Sequence, residues 1–274
     1  MNVLKIAMQE IRAGLRNRWV VATTLLLAAL SLSLVLLGSA PTGAVNADPL
    51  AVVVVSLASL TIFLVPLIAL LLSFDAIVGE QERGTLMLLL SYPVARWQVI
   101  VGKALGQSGI LGVATLLGYG VAAGALSLSS QIGAPAWGAF AAMVLTSIML
   151  GAAFVSMGVL ASAIVRERAT AAGLAVGMWL FFVLIYDTAL LGLLVADQGR
   201  YLTQDILQLA LLFNPADVYR IFNMTASDSV AIYSGLAGPG NAAPLPPALL
   251  FAALAAWVVA PLALAVLVFR RKSI

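Results

Sequence analysis

The sequence predicts an all-α polytopic membrane protein with six transmembrane helices. Three observations carry that prediction: its composition, the length of its apolar runs and the placement of its basic residues. Of the 274 residues, 63% are hydrophobic and only 9% charged, and the mean hydropathy is +1.11. A soluble globular domain carries roughly a quarter charged residues, so water is not the main solvent of this chain. A span needs about 20 mostly apolar residues. Six runs qualify, near 19 to 38, 51 to 74, 104 to 128, 137 to 165, 171 to 195 and 248 to 269. The fourth is long enough to require tilt or an extension beyond the lipid.

The basic residues set the topology. Lys5, Arg12, Arg16 and Arg18 precede the first span; Arg83, Arg96 and Lys103 lie between the second and third. Arg166 and Arg168 join the fourth to the fifth, and Arg270, Arg271 and Lys272 follow the sixth, so 12 of the 14 Lys and Arg fall on one side. The positive-inside rule then predicts both termini in the cytoplasm, with Arg200 and Arg220 outside. The first apolar run starts only at Trp19, behind a charged amphipathic stretch and without a small-residue cleavage site, so it is expected to remain as a span. With no Cys and no His, the chain itself offers no disulfide, thiol nucleophile, histidine base or zinc and haem ligation. A net charge of +3 is too small to point to nucleic acid.

Residues 1–18 read as an interfacial helix, with Leu4, Met8, Ile11 and Leu15 on one stripe and Lys5, Gln9, Arg12 and Arg16 beside it. A plain orientation signal would use the same charges. Residues 75–103 form a cytoplasmic segment with a charged turn, "GEQERGT", a short "LMLLL" run, a Tyr92-Pro93 break and a second amphipathic run from Arg96 to Lys103. Leu86, Leu89 and Leu90 share a helical face with Glu82, which suits a short helix against the membrane surface with its charged start exposed, a docking knob for a soluble partner. A solvated turn before a helix end is the plainer alternative. Gly102, Gly106, Gly109, Gly112, Gly118, Gly120 and Gly124 in the third span predict close helix packing, within the chain or against a second copy.

The outer segment, 196 to 247, predicts two short helices. Thr203 is a cap-type residue with Asp205 in the first turn; Asn214 caps a second helix with Pro215 at its first position and Asp217 three residues after the cap. Val218, Ile221 and Phe222 give that helix an apolar stripe for docking. The stretch "SGLAGPGNAAPLPP" reads as the loop returning to the sixth span.

Acids in spans are costly and mark function by default. Asp75 ends the second span and is expected to orient the segment that follows, or simply to reach water. Asp187 lies 16 residues into the fifth span, roughly 24 Å along a helix, and is expected to line a cavity or to pair with Arg220 or Arg200. Met143, Met149 and Met157 build no single helical face, so no metal site is expected. Tyr186-Asp187 matches half of an aspartyl intramembrane protease signature, but the Gly-x-Gly-Asp half is absent and the two acids lie at opposite faces. The two three-span halves have opposite topology, which keeps a secondary transporter with inverted repeats as an alternative.

Glu80, Glu82, Gly84 and Thr85, a Leu-rich stretch, Pro93, Arg96 and Lys103 together resemble the pattern of ABC-2 type permeases. More narrowly, "SLASLTIFLVPLIALLLSFDAIVGEQERGTLMLLLSYP" and "NPADVYRIFN" are similar to the permeases of transporters that support copper-centre maturation of nitrous oxide reductase. The resemblance implies one permease domain over 1–274 in the bacterial inner membrane, surrounded by membrane lipids and paired with a second copy of itself. It implies a cytoplasmic ABC ATPase subunit that binds ATP and Mg, and a periplasmic β-helical partner. This chain carries no G-x-x-x-x-G-K-[ST] loop, so it is expected to be the non-hydrolytic subunit. Carried onto this sequence, ATPase coupling falls to Glu80, Glu82, Arg83, Gly84 and Thr85. The outer gate or periplasmic contact falls to Asn214, Pro215, Asp217, Tyr219 and Arg220.

Overall fold

A computed structural model describes residues 3–16, 18–38, 49–129, 134–197, 203–225 and 245–272. Among them every regular element is helical: α1 (Val3–Leu15), α2 (Arg18–Gly38), α3 (Pro49–Ser73), α4 (Val78–Glu82), α5 (Thr85–Ser91), α6 (Arg96–Ser129), α7 (Ala134–Ile164), α8 (Arg168–Leu180), α9 (Tyr186–Asp197), α10 (Gln204–Leu212), α11 (Pro215–Thr225) and α12 (Pro247–Arg271). A π-helical turn, Phe181–Ile185, joins α8 to α9 within one span. Among the described residues five segments are long and apolar enough to cross a membrane, or six if α1 and α2, bent by 70° at their junction, are counted as one span. Arg200 and most of the Gly- and Pro-rich loop lie outside the described residues.

The α7 helix forms the centre of the bundle. It packs along α3 and α12 and buries Met143, Leu150, Phe154, Val155 and Val159. By contrast the fifth span turns Leu174, Phe181, Ile185, Leu191 and Val195 outward, as an apolar helix does when lipid is its neighbour.

Two local outcomes differ from the sequence reading, and a third chooses between alternatives it left open. The run from Arg96 to Lys103 is no separate amphipathic helix: it is the first part of α6, a helix of 34 residues, roughly 50 Å long against a hydrocarbon core of about 30 Å. Glu82 and the Leu-rich run do not share one helix, because Gly84 sits at φ 73 between α4 and α5, a conformation other residues rarely adopt. Leu86 is buried, and Leu89 and Leu90 pack on the protein core. The glycines of the third span are answered within the chain. A Cβ at Gly102 would meet Ile6 of α1, one at Gly106 would meet Glu10 and the Ala7 carbonyl, and one at Gly118 would meet Leu27 of α2; Gly120 and Gly124 face open space. The α1 helix therefore lies tight along α6 through Ile6 and Ala7, and exposes Leu4, Met8 and Leu15.

Candidate functional site

Two polar clusters stand at opposite ends of the bundle. At the basic end, Lys103 of α6 is buried and its ammonium bonds Glu10 of α1 at 2.5 Å and Glu80 of α4 at 2.7 Å. The backbone N–H groups of Ile77 and Val78 donate to Ser162 Oγ of α7, at 2.9 and 3.0 Å, which satisfies donors that the start of α4 would otherwise leave open. Asp75 Oδ2 accepts from Arg168 Nη2 at 2.8 Å, and Glu82 Oε1 accepts from the Arg168 backbone N–H at 2.7 Å. Arg96 Nη1 donates to the carbonyls of Phe269, Arg270 and Lys272 and so closes the end of α12. Lys272 in turn donates to the Val165 carbonyl at 2.7 Å. Burial and the nearby Arg166 lower its pKa.

Of the five residues assigned to coupling, two are thus engaged with the bundle: Glu80 is half-buried against Lys103, and Glu82 reaches the start of α8 although its side chain remains exposed. Arg83, Gly84 and Thr85 are exposed. Beside them α5 presents Met87, Leu88 and Tyr92, exposed to 63%, 67% and 61%. That patch is apolar, lies on and just after a short helix held to the core by Leu86, Leu89 and Leu90, and is available for contact.

At the other end, Arg220 Nη1 bridges Asp187 of α9 at 2.7 Å and Asp217 of α11 at 2.9 Å. Of the two arginines open to Asp187, the structure pairs Arg220 with it. Asn214 Nδ2 donates to Asp217 Oδ2 at 2.9 Å and to the Phe182 carbonyl of the π turn at 2.8 Å, while Asn214 Oδ1 accepts from the Ala216 N–H. Tyr186 donates its hydroxyl proton to the Ala210 carbonyl at 2.7 Å. Burial, reinforced by the Asp187 carboxyl, pushes the Asp217 carboxyl up to about 7. The α11 helix does more than dock an apolar stripe. Tyr219 is fully buried with its hydroxyl 3.0 Å from Ser147 Oγ, and Asn223 Nδ2 donates to Thr146 Oγ1 at 3.0 Å, so polar groups also tie it to α7. Asn214, Pro215, Asp217 and Tyr219 are all buried; only Arg220 keeps partial exposure.

Asp75 and Asp187 belong to separate clusters, and Asp187 stands 19 residues beyond Arg168, the partner of Asp75, a rise of roughly 28 Å. No two-carboxylate centre joins them. Among the described residues no group of three or more His, Cys, Asp or Glu could hold a metal ion. Sequence reading passed over Glu10 and Arg168. A signal for the first existed: Glu10 is the only acid among the first 18 residues. Nothing local marks the second.

The chain belongs to the ABC-2 family transporter proteins, whose family pattern it matches over residues 4–274, and so to the membrane subunits of ABC transporters. Two relatives are alike over nearly their whole length. The probable ABC transporter permease protein NosY of Stutzerimonas stutzeri is 42% identical over 273 residues, 98% of each chain. The protein of the same description from Pseudomonas aeruginosa is 45% identical over 274 residues, 99% of each chain.

Proposed function

We propose that the chain is a NosY-type permease that works as a homodimer in the bacterial inner membrane with both termini in the cytoplasm. A separate ABC ATPase, which binds ATP and Mg, docks on the cytoplasmic side, and a periplasmic β-helical partner sits outside. In this reading the transporter supports maturation of the copper centres of nitrous oxide reductase. The observation that carries it is the full-length similarity to two NosY permeases; the basic end of the bundle, 12 of 14 cations, supports the orientation.

The coupling segment divides its labour. Glu80 and Glu82 hold the segment to α6, α1 and α8, so that force applied outside reaches three helices together. Arg83, Gly84 and Thr85, with Met87 and Leu88, meet the ATPase: exposed charge sets register and a compact apolar face gives contact area. At the outer end Asn214, Pro215, Asp217, Tyr219 and Arg220 form a gate held shut from within, with Asp187 as its anchor on the fifth span.

The test is co-purification with the ATPase subunit in detergent. Wild type is expected to retain the ATPase and its Mg-ATP hydrolysis, and Met87→Glu with Leu88→Glu to lose at least about tenfold in retention, since two buried apolar contacts are worth a few kcal/mol, while its own unfolding midpoint stays put. Failure of wild type to retain the ATPase overturns the reading.

A further inference from the structure

A cleft of about 360 Å³ opens between α2, α3 and α6, near the basic end of the bundle. Val20, Ile110, Leu111 and Ala114 form its back wall and are buried, while Leu71 stands at its mouth, 46% exposed. The one hydroxyl within it, on Thr23, already donates to the Val20 carbonyl at 3.0 Å. An occupant of the cleft therefore finds mostly apolar surface, with the Thr23 hydroxyl left only to accept, and the volume is that of an ordinary small-ligand site.

The rim has the opposite chemistry. Arg168 lines it with Asp75 and Phe74. Its guanidinium is half-exposed, gives one N–H to Asp75 and lies 5.9 Å from the Phe74 ring centre. A guanidinium has five N–H donors, so most remain for a second anion, and its planar fork suits phosphate. The exposed Arg18 begins α2 two residues before Val20, and the exposed Arg16 precedes that helix; neither lines the cleft itself. From Asp75 the cleft reaches back to Ile68 along α3, roughly 10 Å of helix, which is less than one leaflet of a hydrocarbon core about 30 Å thick. A slot of that depth, walled by buried apolar side chains beneath a rim where Arg168 keeps donors beyond its bond to Asp75, matches one amphiphile: an apolar chain with a phosphate at its end. Basic pockets between transmembrane helices on the cytoplasmic side are where anionic headgroups bind.

We propose that this cleft holds one acyl chain of an anionic phospholipid, with its phosphate on Arg168. The leaflet assignment rests on the orientation proposed above; the binding itself does not. Arg168 also contacts Asp75 and, through its backbone, Glu82, so the lipid would sit against the same charges that hold the coupling segment.

The experiment is native mass spectrometry of the delipidated full-length chain, titrated with phosphatidylglycerol and with diacylglycerol of the same acyl chains, which lacks the phosphate. Wild type is expected to hold one phosphatidylglycerol per chain about tenfold more tightly than diacylglycerol, the size of one charge-assisted contact. Arg168→Gln should keep lipid but lose the preference; Ala114→Phe should lose both lipids by filling the slot. In case either variant folds poorly, Leu71→Trp at the open mouth gives an independent readout. Its added fluorescence should be quenched by phosphatidylglycerol with brominated chains, and more strongly than that of Leu191→Trp on the exposed fifth span. Equal retention of the two lipids by wild type, or equal quenching at the two positions, overturns the proposal and leaves the cleft to a second copy or to cargo. Either failure leaves the permease reading intact, because ATPase retention tests that separately.

Discussion

The two polar clusters use the same stoichiometry, one cation between two carboxylates, and bury opposite members. At the basic end the cation is inside: the Lys103 side chain is 4% exposed, whereas Glu10 and Glu80 keep 24% and 22%. At the opposite end, which the proposed orientation makes the outer one, an acid is inside: Asp217 is 2% exposed, against 31% for Arg220 and 25% for Asp187. A buried ammonium between two acids stays charged at any physiological pH, so the inner cluster is a fixed pin joining α1, α4 and α6. A buried carboxyl beside a second carboxyl can shed its charge by taking up a proton. The outer cluster can thus change state without moving an atom far, and the inner one cannot.

The contrast breaks most visibly at Lys103. Lys103→Met removes the pin and leaves Glu10 and Glu80 facing each other without a cation. Breaking such a pair costs about 3 kcal/mol, the low end of the range for buried pairs because both acids still reach water. Thermal unfolding in detergent should show the loss, and cross-linking between introduced cysteines on α1 and α6 should weaken with it. Adding Glu10→Gln and Glu80→Gln to Lys103→Met should recover part of the stability by removing the unpaired charges. If the triple variant is as unstable as the single one, the lost energy was packing and the pin is ordinary core.

How much of this could be read from the sequence follows the range of the interactions. The six spans were legible because a bilayer fixes their length and their solvent at once: the second run, 51 to 74, is α3 at Pro49–Ser73, and the sixth, 248 to 269, is α12 at Pro247–Arg271. The cap at Asn214 and Pro215 was legible because capping is a matter of adjacent residues. Lys103 was not legible as a pin, since its partners lie 93 and 23 residues away. Nor was the π turn. "FFVLI" is apolar throughout and has no local feature that distinguishes i→i+5 bonding from an ordinary helix; only Asn214, 32 residues from the carbonyl it takes, shows what the turn is for.

The outer cluster gives the second prediction, in pH. The groups facing Asp217 are Asp187 and Tyr186 from α9 and Arg220 and Asn214 from its own segment. Its folded pKa, about 7, lies above the free-acid value of 3.8. Between those values the folded chain keeps a proton that the unfolded chain has released, so this group's contribution to stability is greatest at the acid end and declines as pH rises toward 7. Unfolding midpoints measured from pH 5 to 8 should fall with rising pH in wild type. Asp217→Asn cannot titrate and should flatten that slope at a net cost below about 2 kcal/mol, because it still accepts from Arg220 but loses the second acceptor that Asn214 uses. The triple variant Lys103→Met, Glu10→Gln, Glu80→Gln, which removes the inner acids with their cation, should leave the slope unchanged. A slope that persists in Asp217→Asn would mean another group carries it and the contrast between the ends fails.

The smallest effect should come from Gly84, and it sharpens the view of the inner end as a pinned body carrying one free joint. A Cβ there meets nothing within 4 Å, so the whole cost of Gly84→Ala is the positive φ of 73, about 1 kcal/mol. That strain falls between α4, which Lys103 and Ser162 hold to the bundle, and α5, which presents Met87 and Leu88. The expected outcome is a nearly unchanged unfolding midpoint with reduced ATPase retention, because α5 swings relative to a helix that does not follow. If stability instead drops by several kcal/mol with no change in retention, α4 and α5 move as one piece, and the pin at Lys103 reaches as far as the proposed docking face itself.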